Sequence, residues 1–119
     1  IIMKLREIKN ILQLKTIIDG DEDLNVKTGC GSDLMSDVLA FSKDKTLLLT
    51  GLTNPQVIRT AEMTGIKVII FVRGKEPQSE TISLGKDNDV SLYCSGKSLF
   101  ECCGLLYEHG LKPEKMRKI

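Results

Sequence analysis

Three short, almost unbroken apolar runs set the rhythm of this chain: Thr46–Thr50 (TLLLT), Ile66–Val72 (IKVIIFV) and Val90–Cys94 (VSLYC). Each is followed by a small-polar turn and then by a helical pattern. Such runs, lacking the polar alternation of a sheet open to water on one side, predict parallel strands covered on both faces. In sheets of this kind ligands sit beyond the carboxyl ends of the strands. The loops after these three runs are therefore the place to look for function.

The flanking segments complete the pattern. Leu5, Ile8, Ile11 and Leu12 repeat at helical spacing and predict an amphipathic helix over Met3–Gln13. Leu14–Ile18 reads as a strand ended by the turn pair Asp19-Gly20. Leu24–Cys30 alternates apolar and polar positions, as a strand at a sheet edge would. Gly29-Cys30-Gly31 permits an unusual backbone turn, with Ser32 as N-cap of a helix over Asp33–Phe41. That helix sets Leu34, Val38 and Phe41 on one face, with Met35 and Leu39 beside them. Lys43-Asp44-Lys45 is a polar connection into the first core strand.

After that strand, Asn54 as N-cap and Pro55 at the first helical position start a helix that runs to Thr64, buries Val57, Ile58 and Ala61 and stops at Gly65. A weaker helix spans about Gln78–Lys86, around Ile82 and Leu84. A closing helix runs from the turn Ser95-Gly96-Lys97-Ser98 to His109, burying Leu99, Cys102 or Cys103, and Leu106; Gly110 ends it. Together these elements predict one α/β domain over residues 1–119, a three-layer α/β/α sandwich around a mainly parallel sheet.

Bulk properties narrow the function classes. Seventeen basic and sixteen acidic residues leave a formal net charge of +1, without the basic stripe of a nucleic-acid binder. The one basic cluster, Lys112, Lys115, Arg117 and Lys118, is broken by Pro113 and Glu114 and reads as a frayed, solvated end. No apolar stretch is long enough to cross a bilayer. Lys4, Arg6, Glu7 and Lys9 interrupt any signal-like segment, and Ile1 and Ile2 precede a methionine that reads as the natural start. A soluble, cytoplasmic protein without membrane contact is expected. The four cysteines (Cys30, Cys94, Cys102, Cys103) form no C-x-x-C pair, and there is one histidine, so no metal site is expected. They read as small core residues in a reducing compartment.

Catalytic constellations do not assemble. Gly96-Lys97-Ser98 matches the end of a phosphate-binding loop, but the first glycine of that motif would fall on Ser91, inside the apolar strand. An ordinary strand-to-helix turn is the better account. A reactive cysteine needs a neighbouring base, and His109 lies about two turns beyond Cys102 and Cys103. Asp21, Glu22 and Asp23 are consecutive in a turn and lack calcium-loop spacing. No catalytic residue and no cofactor is expected.

A binding site is a better candidate. With parallel, adjacent strands, three strand-end loops meet at one rim: Gly51–Asn54, Arg73–Lys75 and Ser95–Lys97. There Gly51, Thr53 and Asn54 offer helix-start amides, Arg73 and Gly74 a guanidinium beside a flexible backbone, and Lys75, Ser95 and Lys97 charge and donors. Gly31 and Ser32 are a weaker addition. The arrangement suits a phosphate-bearing ligand or nucleotide. The opening helix and the edge strand near Val26 carry apolar residues beyond the needs of one small sheet, which points to a homodimer.

The strings MKLREIKNIL, GCGSDLMSDVLAF, TLLLTGLTNPQVIRTAEMTGIKVIIFVRGK and CCGLLYEHGL, in that order, resemble the DRTGG domain family over nearly the whole chain. These are regulatory α/β domains similar in fold to the amino-terminal domain of HPr kinase/phosphorylase. The family's Asp-Arg-Thr falls on Leu52, Thr53 and Asn54 and its Gly-Gly pair on Arg73 and Gly74, so only Gly74 is kept. The resemblance implies a ligand-sensing or interaction domain, prone to pair with itself and often joined to CBS domains or enzymes. Relatives near iron-only hydrogenase imply a signalling or hydrogenase-related protein as partner. The expected function is a non-catalytic regulatory domain sensing a nucleotide or phosphometabolite, with a ligand-free protein-interaction module as the alternative.

Overall fold

A computed structural model describes residues 2–42 and 46–115. The connection Lys43-Asp44-Lys45 and the tail residues Arg117 and Lys118 lie outside the described residues. The three apolar runs form β5 (Thr46–Thr50), β6 (Val68–Phe71) and β7 (Ser91–Cys94), paired in parallel with β6 in the middle. Every residue of the three is buried. Alternate residues serve opposite faces, as the strand period of two requires. Leu47, Leu49, Val68, Ile70 and Tyr93 join one core, and Leu48, Ile69, Phe71, Leu92 and Cys94 join the other. Each fully buried aliphatic side chain here contributes about 1.5–3 kcal/mol relative to exposure.

Two helices cover the first face: α1 (Leu5–Leu12), through Leu5, Ile8 and Leu12, and α5 (Leu99–Glu108), through Cys102 and Leu106. Three cover the second: α2 (Met35–Phe41), α3 (Gln56–Thr64) and α4 (Ser79–Asp87). The result is the expected α/β/α sandwich. With β2 (Lys15–Ile18), β4 (Thr28–Gly31) and β8 (Lys112–Pro113), its six-stranded sheet has the order β2-β7-β6-β5-β4-β8, β2 antiparallel to β7 and the other neighbours parallel.

Several local expectations need correction. The alternating segment Leu24–Cys30 is two strands. β3 (Asn25–Val26) pairs with β1 (Met3–Lys4) in a separate ribbon, and β4 (Thr28–Gly31) lies inside the main sheet between β5 and β8 (Lys112–Pro113). The expected frayed tail thus supplies, at Lys112–Pro113, the edge strand, the position at which sheets tolerate a proline. Gly29 and Gly31 make no turn. Their missing side chains give room instead, since a Cβ on Gly31 would lie 2.6 Å from the Cys103 sulfur and one on Gly29 3.0 Å from Leu111.

Ser32 does not cap α2 either. Its hydroxyl accepts the N–H of Leu34 at 3.0 Å, and the helix starts two residues later than expected. Leu34 and Leu39 are exposed, so Met35 and Val38 carry the buried face of α2. Leu5, Ile8, Leu12 and Val26, the apolar surplus that pointed to a homodimer, are buried within the chain itself. The large exposed apolar side chains include Phe100, Tyr107 and Met63.

Candidate functional site

β4 to β7 run in parallel, so the loops after Gly31, Thr50, Phe71 and Cys94 share one rim. The connections do not all turn the same way. Those after β4, β5 and β6 enter α2, α3 and α4 on one face, whereas β7 continues into α5 on the other. The chain therefore diverges between the carboxyl ends of β6 and β7, the place where open α/β sheets form their ligand crevice.

The two loops at that divergence are stitched together. Arg73 N–H donates to the Lys97 carbonyl at 2.8 Å and Gly74 N–H to the Ser95 carbonyl at 2.9 Å. Both N–H groups reach across because Arg73 and Gly74 are left-handed, with φ of +60° and +68°. For arginine this conformation costs about 1–2 kcal/mol. The Ser95 hydroxyl accepts Lys97 N–H at 3.1 Å, and the Ser98 hydroxyl caps α5 by accepting Glu101 N–H at 3.1 Å. With Ser91 inside β7, Gly96-Lys97-Ser98 forms the ordinary strand-to-helix turn expected of it.

The amides of Arg73, Gly74 and Lys97 are thus committed. Arg73 is 54% exposed and lays its guanidinium over Gly51, where a Cβ would meet Nη2 at 2.9 Å and both Asp33 carboxylate oxygens at 3.5 Å. Asp33 Oδ1 accepts Gly51 N–H at 2.7 Å and the Thr50 hydroxyl at 3.1 Å, while Oδ2 stands 3.8 Å from Arg73 Nη2. Glycine at 51 is what allows a carboxylate and a guanidinium to share this floor.

Asp33 escaped the sequence reading, which took it for the start of a helix. No local signal marks it, because its partners Thr50 and Gly51 reach it only across the paired strands. The other candidates are spread along the rim. Asn54 Oδ1 accepts Gln56 N–H at 3.1 Å, and the Asn54 and Pro55 carbonyls accept the next three amides of α3, so that helix start is internally satisfied. The Thr53 carbonyl accepts Gln78 N–H at 3.1 Å and the Thr81 hydroxyl at 2.7 Å, tying β5 to α4. Lys75 is exposed beside Arg73. Gly31 and Ser32 line a different hollow of about 260 Å³, shared with Asp37, Phe41, Pro113 and Glu114.

The thiols are poorly suited to nucleophilic work. Burial pushes Cys30, Cys94, Cys102 and Cys103 above the ordinary thiol range. His109 sits at the end of α5 with Nδ1 2.8 Å from the Leu105 carbonyl, in a capping position. Among the described residues no three histidine, cysteine or carboxylate side chains gather as metal ligands. No described helix is long and apolar enough to cross a membrane.

Compared with protein-family models and with curated proteins, the chain has no match in sequence. Its architecture does have a match among solved structures. The crystal structure of the CBS and DRTGG domains of the regulatory region of Clostridium perfringens pyrophosphatase, complexed with its activator diadenosine tetraphosphate, superposes with a TM-score of 0.71. Identity is 16% over 87% of this chain, and the chain spans 45% of that one. The likeness is one of fold and supports a DRTGG-like α/β architecture.

Proposed function

We propose that this domain is a non-catalytic regulatory module that senses a small phosphate-bearing ligand, of nucleotide or phosphometabolite type, at the rim between β6 and β7. The observation that carries the reading is Arg73. It occupies a glycine conformation at the point where the connections diverge and holds its guanidinium over a glycine floor. Strain of this kind clusters at ligand clamps. Lys75 follows in the same loop and Lys97 in the neighbouring one, and a guanidinium grips an oxyanion bidentately. Gly74, Ser95, Thr53 and Asn54 shape the loops, with Gly31 and Ser32 at the far end of the rim. The fold neighbour is a regulatory region crystallised with a nucleotide activator, which favours the same class of ligand.

A thermal-shift panel of nucleotides and phosphometabolites tests the reading. A ligand that binds only the native state raises the melting temperature by mass action. Arg73→Ala should weaken binding by roughly 1.5–3 kcal/mol, the range for a hydrogen bond to a charged group. Lys112→Ala should leave it unchanged. A flat panel, or an Arg73→Ala variant that binds as well as the parent, would sink it.

One observation favours a second reading, a protein-interaction module. Phe100 and Tyr107 are 89% and 65% exposed and lie seven residues apart on one side of α5. A flat ligand panel together with a dimer mass in light scattering, lost on Phe100→Ser, would favour it.

A further inference from the structure

The rim contains a fixed negative charge that a plain anion site would not have. Asp33 Oδ1 is held by Gly51 N–H and the Thr50 hydroxyl, so the carboxylate is locked in place although the side chain is 47% exposed. Its Oδ2 is 3.8 Å from Arg73 Nη2, beyond hydrogen-bond reach, and keeps its lone pairs. An oxyanion gripped by Arg73 would bring its oxygens within about 4–6 Å of Oδ2, a distance at which like charges act strongly on one another. Above the second pKa of a phosphate ester, about 6, its phosphate oxygens are acceptors only, as the carboxylate's are, so an ester with no other polar group, such as methyl phosphate, brings no donor to Oδ2. A ligand that carries a hydroxyl or amino donor beside its phosphate does.

Resting on the anion-binding reading of this rim, we propose that Asp33 is its specificity-determining residue. It selects phosphate esters with a neighbouring donor, such as the hydroxyl of a sugar phosphate or nucleoside phosphate, against ionised esters without one, such as methyl phosphate. The guanidinium supplies attraction common to every phosphate. The carboxylate converts that attraction into discrimination by penalising ligands that bring no proton to it. A site built to receive a ligand's donor rejects analogues lacking it because its own acceptor is then left unpaired. Because Asp33 is half exposed, added salt should erode the discrimination.

Titration calorimetry of the full chain with methyl phosphate, ribose 5-phosphate and adenosine monophosphate tests the proposal, with circular dichroism as a folding check. The parent should bind the two sugar-bearing esters at least tenfold more tightly than methyl phosphate. Asp33→Asn keeps an acceptor oxygen for Gly51 N–H and loses the charge. It should bind methyl phosphate several-fold more tightly and shrink the preference to under threefold. A parent that binds methyl phosphate as well as ribose 5-phosphate overturns the proposal without need of a variant. So does an Asp33→Asn variant that strengthens all three equally, which would make the carboxylate a blocker. In both cases loss of binding in Arg73→Ala would leave the anion reading standing. If Arg73→Ala binds all three like the parent, the anion reading fails and this proposal with it.

Discussion

Two charged clusters sit at opposite ends of the sheet, and they are built on different terms. At the amino end of β7, the buried Tyr93 donates its hydroxyl to Asp19 Oδ1 at 2.9 Å and accepts Gly20 N–H at 2.8 Å. Lys9 closes the cluster, 3.1 Å from Asp19, 3.3 Å from Glu22 and 5.5 Å above the tyrosine ring. At the carboxyl end, Arg73 and Asp33 face each other at 3.8 Å with half of each side chain in water. The first cluster is saturated at one oxygen, Asp19 Oδ1, which takes Lys9, the Tyr93 hydroxyl and Gly20 N–H together, and it ties the loop after β2 to the core. The second is anchored through its backbone and left incomplete at its tips. A polar group with its partners in place holds a fold, whereas one fixed in position without them is ready for a ligand.

The sharpest way to break this contrast is Tyr93→Phe. It deletes the donor to Asp19 and leaves Gly20 N–H with only its longer bond to Asp19 Oδ1, at 3.1 Å, so it should cost about 1–3 kcal/mol of stability. Urea denaturation measures it, and phosphate-ester binding at the far rim should stay at the parent value. A loss of binding equal to that of Arg73→Ala would mean that the two ends are coupled.

Arg73→Gly should behave in the opposite sense. Relief of the left-handed arginine, about 1–2 kcal/mol, is offset by the added freedom of glycine in the unfolded chain, about 0.4–1 kcal/mol. Stability should therefore stay level or rise by about 1 kcal/mol while anion binding is lost. A marked drop in melting temperature would show that the guanidinium serves the fold rather than a ligand.

The smallest effect concerns pH and belongs to the saturated cluster. Hydrogen bonds from Lys9 and then Tyr93 hold the Asp19 carboxyl below its usual range. Its contribution is present above the unfolded carboxylate pKa and is lost as pH falls through the lower folded value. The hydrogen bond to Asp19 raises Lys9, and burial raises Tyr93. Their contributions are full below the unfolded pKa of each and fade as pH rises through the folded ones. Melting temperature should thus decline at both extremes, and Asp19→Asn should flatten the acid limb. An unchanged acid limb in that variant would assign the decline to other carboxylates.

How far the sequence could be read follows from the same contrast. β5, β6 and β7 were legible because strands buried on both faces leave no polar position to confuse the pattern. Gly29 and Gly31 misled because glycine marks two needs alike: a positive φ, and space for a neighbour, here Cys103 and Leu111. Lys112–Pro113 was invisible as a strand because two residues carry no periodicity. At the rim, Arg73 and Lys97 could be placed from the strand ends alone. Asp33 could not, since its role depends on Gly51 and Thr50, which reach it only when β4 and β5 lie side by side.

The return of the chain to β8 also bears on the order of assembly. β4 to β7 add to one another through successive local crossovers, but Thr28 meets Lys112 only after α5 has crossed the whole sheet. Such a distant pairing closes late and opens early, because few contacts reward its loop-closure cost. Glu114, which accepts from the Thr28 and Thr46 hydroxyls, then acts as a latch on the last strand to dock. While the latch is open, β4 offers an unpaired edge to any extended chain nearby. The brief stretch from Lys112 to Glu114 is thus a guard against aggregation during folding as much as a part of the finished sheet.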